Sequence, residues 1–150
     1  MSKYLILLSF SLFLFACGEL YSEQDLNQFD TQIQKLIAEK NWNCERSESG
    51  LYYQILEDGD GDFIPIDAKV LVTYKGYLTN GKIFDQTSAE PVSLYAKSLI
   101  EGWREALLFV NIGSEVRLIV PPNLGYKNQE LPDIPKNSIL IFEIKIHGIE

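Results

Sequence analysis

The sequence predicts an α+β protein in which antiparallel strands wrap around one short helix, with a separate amphipathic helix ahead of them. Three observations carry this. Apolar and polar residues alternate with a period of two through residues 69–78, 115–120 and 139–149, the pattern of half-buried strands. Only residues 98–108 in the second half break that period. There Ile100, Trp103, Leu107 and Val110 recur at helical spacing, with Glu101 and Glu105 near the end where the helix dipole favours negative charge. Thirdly, Thr79-Asn80-Gly81-Lys82 signals a tight hairpin, because an Asn-Gly pair adopts the positive backbone angles of a primed turn.

Taken in order, the chain of 150 residues begins with a brief positive region, Ser2-Lys3, and an apolar run from Leu5 to Phe15. That run is short for a bilayer span and typical of a secretory leader. It ends in Leu14-Phe15-Ala16-Cys17, which resembles a bacterial lipobox. The resemblance implies cleavage before Cys17, acylation of its thiol and a membrane-tethered mature protein. An uncleaved anchor, or an ordinary leader followed by a chance cysteine, are the alternatives. Residues 1–16 are thus read as a lipoprotein signal peptide, 17–48 as the lipidated cysteine, helix and linker, and 49–150 as the globular domain. About 100 residues suffice to bury a core.

Ser22 is a helix cap, Glu23 and Asp25 an acidic first turn, and Leu26, Phe29, Ile33, Leu36 and Ile37 an apolar stripe that Asn41 closes. The stripe packs either on the same chain or on a second copy, giving a homodimer. Residues 43–49 are polar and read as a linker. Residues 50–56 form a strand. Asp58, Asp60 and Asp62 mimic a calcium loop, but Phe63 stands where that loop needs glycine and Lys69 where it needs a bidentate glutamate, so the segment is a solvated turn. Residues 83–85 return from the hairpin, 91–95 form an edge piece, and Gly113 offers the helix a stop. Residues 123–138 are a long loop, of the kind that is functional or disordered.

The net charge is −8, and loss of the leader removes only the positive charge of Lys3. Such acidity argues against nucleic acid as a partner. Covalent and metal chemistry lack material. His147 is the single histidine and falls on the polar phase of the last strand. With Cys17 acylated, Cys44 is the one remaining thiol. No cofactor motif is present. What remains is an apolar and aromatic set, Tyr74, Phe84, Trp103, Tyr126 and Phe142, drawn from separate elements and readable as plain core or as a pocket.

The order of residues is more specific. Val70-Leu71-Val72-x-Tyr74-x-Gly76-x-Leu78-x-Asn80-Gly81-x-x-Phe84-Asp85-x-Thr87 resembles the opening motif of the FKBP-type peptidyl-prolyl isomerases. Leu99-Ile100-x-Gly102-Trp103-x-Glu105-Ala106-Leu107, Ile119-Val120-Pro121-Pro122-x-Leu124-Gly125-Tyr126 and Ile134-Pro135-x-Asn137-Ser138-x-Leu140-x-Phe142 resemble three further segments of that family, in the same order. The resemblance implies an FKBP-like fold and non-covalent catalysis of rotation about X-Pro bonds in exported polypeptides. Joined to the lipobox resemblance, it implies a lipid-anchored domain of the bacterial envelope, periplasmic in a Gram-negative cell.

Carried over by position, the resemblance implies that Trp103 is the pocket floor. Tyr74, Phe84, Val92, Leu99, Ile100, Ile134 and Phe142 would be the walls, with Asp85 and the Tyr126 hydroxyl as polar catalytic contacts and the Ile100 amide holding a ligand carbonyl. Val92 and Leu94 stand where aromatics are usual, Lys127 where glycine follows the tyrosine, and no arginine follows Asp85 before Glu90. Those departures keep a second reading open, a weakly active or inactive binding module of an envelope machine.

Overall fold

Helix α1 (Glu23–Lys40) opens the computed structural model, which describes residues 20–150; the leader and Cys17 lie outside them. The Ser22 side chain accepts from the Asp25 amide while Asp25 accepts from the Ser22 amide, a reciprocal capping box. At the other end Asn41 turns left-handed (φ 53°) and its amide closes onto the Ala38 carbonyl. Phe29, Ile33 and Leu36 are buried, and Ile33 and Leu36 join Tyr52, Ile119, Ile139 and Ile141 in an outer hydrophobic cluster. The apolar stripe of α1 therefore packs on its own chain.

Seven strands follow: β1 (Glu45–Arg46), β2 (Tyr52–Glu57), β3 (Lys69–Leu78), β4 (Ile83–Gln86), β5 (Val92–Tyr95), β6 (Glu115–Val120) and β7 (Leu140–Ile149). They form one antiparallel sheet in the order β1-β2-β6-β7-β3-β4, with β5 also paired to β3. The period-two alternation separates its faces. Val70, Val72, Val116, Leu118, Leu140, Phe142, Ile144 and Ile146 point inward, onto Trp103 and Ala106 of helix α2 (Glu101–Ala106). Ile119 and Ile141 point outward, to α1. Beside them Arg117 donates to Glu143 (2.9 Å) and Gln54 (2.9 Å), and its guanidinium stacks 4.3 Å from the Trp42 ring centroid.

Four local expectations are revised. The supposed linker contains β1, whose two residues pair with Tyr53 and Tyr52 and are too few to show a side-chain period. Helix α2 spans six residues rather than eleven, because a 3-10 turn (Ala96–Ser98) precedes it and tight turns at Leu108 and Phe109 follow it. Gly113 (φ +95°) is consequently not the helix stop but the turn into β6. In the hairpin only Gly81 takes a positive φ (+85°). The Gly81 amide closes onto the Leu78 carbonyl and the register shifts at Tyr77, so a three-residue turn with a bulge replaces the primed turn.

The loop 123–138 is ordered by a 3-10 turn (Pro122–Leu124) and by a reciprocal pair of backbone bonds between Leu131 and Ile134. Asp58, Asp60 and Asp62 are solvent-exposed, and no metal-binding cluster exists among the described residues.

Candidate active site

The open end of the sheet, beside the amino end of α2, holds a cavity of about 160 Å³. Its floor is Trp103, only 4% exposed, from the middle of α2. Helix and sheet approach closely here because position 102 is glycine: a Cβ on it would lie 2.8 Å from Val120 Cγ1. Two rings meet the indole edge-on, Tyr74 from β3 (centroids 5.4 Å, 89°) and Phe142 from β7 (5.3 Å, 85°). Phe84 from β4 stands edge-on to Phe142 in turn (5.6 Å, 86°). Such perpendicular contacts match ring edges to ring faces and hold the walls at fixed angles. Leu99 and Ile100, ahead of α2, and Leu94 from β5 complete the apolar lining.

Gly76 makes this packing possible, a role that motif position alone did not reveal. It pairs with Asp85 on one side and Phe142 on the other. A Cβ there would lie 2.7 Å from Phe84 Cζ and 2.9 Å from Phe142 Cε1.

Polar groups are few and sit at the rim. The Tyr74 hydroxyl donates to Asp85 Oδ2 at 2.5 Å. Burial and then this bond to Asp85 raise the Tyr74 phenol far above its ordinary value, so it stays neutral. Burial, and secondarily the charge of Asp85, also raise Tyr126. The Tyr126 hydroxyl lines the cavity and, among the described residues, hydrogen-bonds to no other protein group. The Ile100 amide at the head of α2 makes no backbone bond among the described residues either. Two residues with unpaired donors among the described residues, Tyr126 and Ile100, thus line an apolar hollow.

Eight of the ten expected site residues line the cavity: Tyr74, Phe84, Asp85, Leu99, Ile100, Trp103, Tyr126 and Phe142. Val92 and Ile134 do not. Val92 is 37% exposed on β5, and Ile134 is buried in the main core, held by its bonds to Leu131. Leu94 and Ser98 line the cavity in addition. Leu94 shares a strand phase with Val92, which was the available signal; Ser98 offered none beyond adjacency to Leu99. His147 is exposed and bonds Thr73 Oγ1 at 2.8 Å, outside the cavity. Cys44 is half-buried in the outer cluster, where burial raises its thiol against the opposing pull of Arg117, a poor setting for a nucleophile.

A profile of the family described as FKBP-type peptidyl-prolyl cis-trans isomerase matches residues 62–147, a span that contains every residue lining the cavity. The chain is 40% identical over 126 residues to the FKBP-type peptidyl-prolyl cis-trans isomerase FkpA of Buchnera aphidicola subsp. Acyrthosiphon pisum, covering 80% of this chain and 52% of that protein. It is 37% identical over 119 residues to FkpA of Escherichia coli strain K12, covering 78% and 43%. The chain therefore spans about half the length of these curated relatives. Among solved structures, FkpA from Escherichia coli aligns with a TM-score of 0.73 at 32% identity, over 85% of this chain and 62% of that one. AtFKBP13 aligns with a TM-score of 0.68 at 26% identity, over 72% and 99%. Strands β3 to β6, the central helix and the aromatic hollow all fall within the matched span, and the chain belongs to the FKBP-type peptidyl-prolyl cis-trans isomerase family.

Proposed function

We propose that the cavity seats a proline ring of an unfolded polypeptide and accelerates rotation about the amide preceding it. The observation that carries this is the pairing of an edge-packed aromatic hollow with two free donors at its mouth. Amide resonance sets the rotational barrier at roughly 18–20 kcal/mol, and uncatalysed prolyl isomerisation takes tens of seconds or more. A twisted amide has lost conjugation and part of its dipole. A dry apolar hollow therefore favours it over the planar amide, which water solvates well. That is differential binding of the transition state, and no nucleophile or cofactor takes part.

Trp103 supports the ring from below, and Tyr74, Phe84 and Phe142 exclude water. The Tyr126 hydroxyl and the Ile100 amide hold backbone carbonyls on one side of the rotating bond, so that this end is fixed while the other turns. Asp85, fixed by Tyr74, faces the rotating amide as its one carboxylate partner. A proline-limited refolding assay with the full chain tests this reading. A rate equal to that in buffer, with the chain shown to be folded, would overturn it.

The clients are proline-containing polypeptides, and the lipobox-like Leu14 to Cys17 supports anchoring through an acylated Cys17 at the bacterial envelope. Mass spectrometry of the membrane fraction tests the anchor, which an unmodified Cys17 would exclude. A second reading, grip on a partner loop without turnover, is favoured by Val92 lying off the cavity, which leaves one wall without an aromatic. It requires Trp103→Ala to abolish partner binding while loss of isomerisation alone has no effect in cells.

A further inference from the structure

The segment that carries Tyr126 is held by side chains that the cavity itself does not use. Lys127 adopts φ +58°, a left-handed conformation uncommon outside glycine. Glycine would satisfy that backbone without steric cost. What lysine adds is reach: its ammonium donates to Glu101 Oε1 at 3.0 Å. Glu101 is the first residue of α2 and directly follows Ile100. The ion pair therefore ties the loop bearing the Tyr126 hydroxyl to the helix end bearing the Ile100 amide, the two donors at the cavity mouth.

The opposite flank of the loop is fixed separately. The Lys127 amide donates to the Pro122 carbonyl at 2.9 Å, and the Asn137 amide donates to the Lys127 carbonyl at 3.0 Å. Asn137, itself left-handed (φ 57°), accepts from the Tyr21 hydroxyl at 2.8 Å. With backbone bonds holding one side, the Lys127–Glu101 contact is the adjustable tie between the loop and the head of α2.

We propose that Lys127 is a positioning residue: with Glu101 it sets the spacing between the Tyr126 and Ile100 donors to match successive carbonyls of a bound prolyl peptide. The inference rests on the function proposed above. Both partners are about half exposed (42% and 45%), so the tie acts modestly and is screened by salt. Its effect falls on peptide binding rather than on the rotation step, because the aromatic floor and walls are untouched.

The test measures KM and kcat separately for a prolyl peptide on the full chain. Lys127→Met and Glu101→Gln each raise KM by about threefold with kcat little changed, and the double variant is no worse than either single. Lys127→Arg retains the original KM. Roughly 1 M salt raises the unmutated chain's KM by the same factor and leaves that of Lys127→Met unaltered. This salt arm needs no variant to fold.

Single variants with unchanged KM, or a double variant showing the product of the two single effects, would overturn the assignment. If the unmutated chain shows no isomerisation, the proposed reaction alone has failed. The variants are then read by calorimetric titration with the same peptide, where the same pattern in Kd supports the tie and equal Kd values overturn it.

Discussion

Replacing Gly76 by alanine should separate stability from activity. Gly76 carries no positive φ, so alanine meets no backbone strain, and the whole cost is collision. The new methyl would lie 2.7 and 2.8 Å from Phe84 Cζ and Cε2 and 2.9 Å from Phe142 Cε1. Carbon atoms in good contact stand about 3.5–4.0 Å apart, so a ring must retreat by roughly 0.8 Å. Phe142 is 4% exposed and wedged between Trp103 and Phe84, and cannot move outward. Phe84 is half-buried at the rim of the short edge strand β4 and can. The methyl therefore tilts Phe84 away from the cavity. The 2.9 Å contact with the immobile Phe142 remains, so within the 1–3 kcal/mol typical of overpacking the cost should be about 2 kcal/mol in urea unfolding. The wall moves with the ring, so kcat/KM should fall by about tenfold or more, equivalent to at least ~1.4 kcal/mol of transition-state binding. Gly76→Ala combined with Phe84→Leu should regain part of the stability but not activity. Full activity in folded Gly76→Ala would refute the assignment of Phe84 as a working wall.

Tyr126→Phe removes one neutral donor from the mouth; kcat/KM should drop by roughly two- to tenfold with unfolding unchanged, as stopped-flow peptide kinetics and urea titration would show. Ile33→Ala in α1 deletes a fully buried side chain from the outer face, and should cost about 2–5 kcal/mol while kcat/KM of the folded fraction is retained. Tyr77 is pushed up to about 12 by burial, then by the Glu143 charge and its bond to Glu143. Between its ordinary value of 10 and 12 the unfolded chain releases a proton that the folded chain keeps, so stability falls as pH rises through that window. Tyr77→Phe should flatten that part of the urea-midpoint profile.

Long periodic segments were legible because burial writes their pattern. The bounds of β3 and β6 follow from alternation, and both ends of α1 from Ser22, Asp25 and Asn41, residues that satisfy helix-end groups in the chain's own neighbourhood. Elements without a side-chain period escaped. β1 consists of two backbone pairings, and the early end of α2 depends on tight turns rather than on a stop residue. In the hairpin Asn80 keeps a negative φ because its side chain accepts from the Lys82 amide at 2.9 Å, a local bond that competes with the primed geometry. Most of the residues that line the cavity were legible through motif order. The exceptions are Val92, exposed at the start of β5, and Ile134, turned into the core by its backbone bonds to Leu131; both are matters of local chain path, which order does not encode. The Lys127–Glu101 tie joins positions 26 residues apart and has no local signature at all.

The central place of β7 bears on when this chain can fold. β7 pairs with β3 along one edge and β6 along the other, so it is the seam joining two otherwise separate strand groups. A nascent chain emerging amino end first holds α1, β2 and β6 in one group and β3, β4 and β5 in the other, with nothing hydrogen-bonded between them. Even the seat of α1 is unfinished, since Ile139 and Ile141 come late. Residues 140–149 close both at once. Until they arrive, the apolar strands stand open in whatever compartment the ribosome or translocation pore delivers them to. A protein proposed to hasten the folding of others thus depends, for its own folding, on a strand made after the other six.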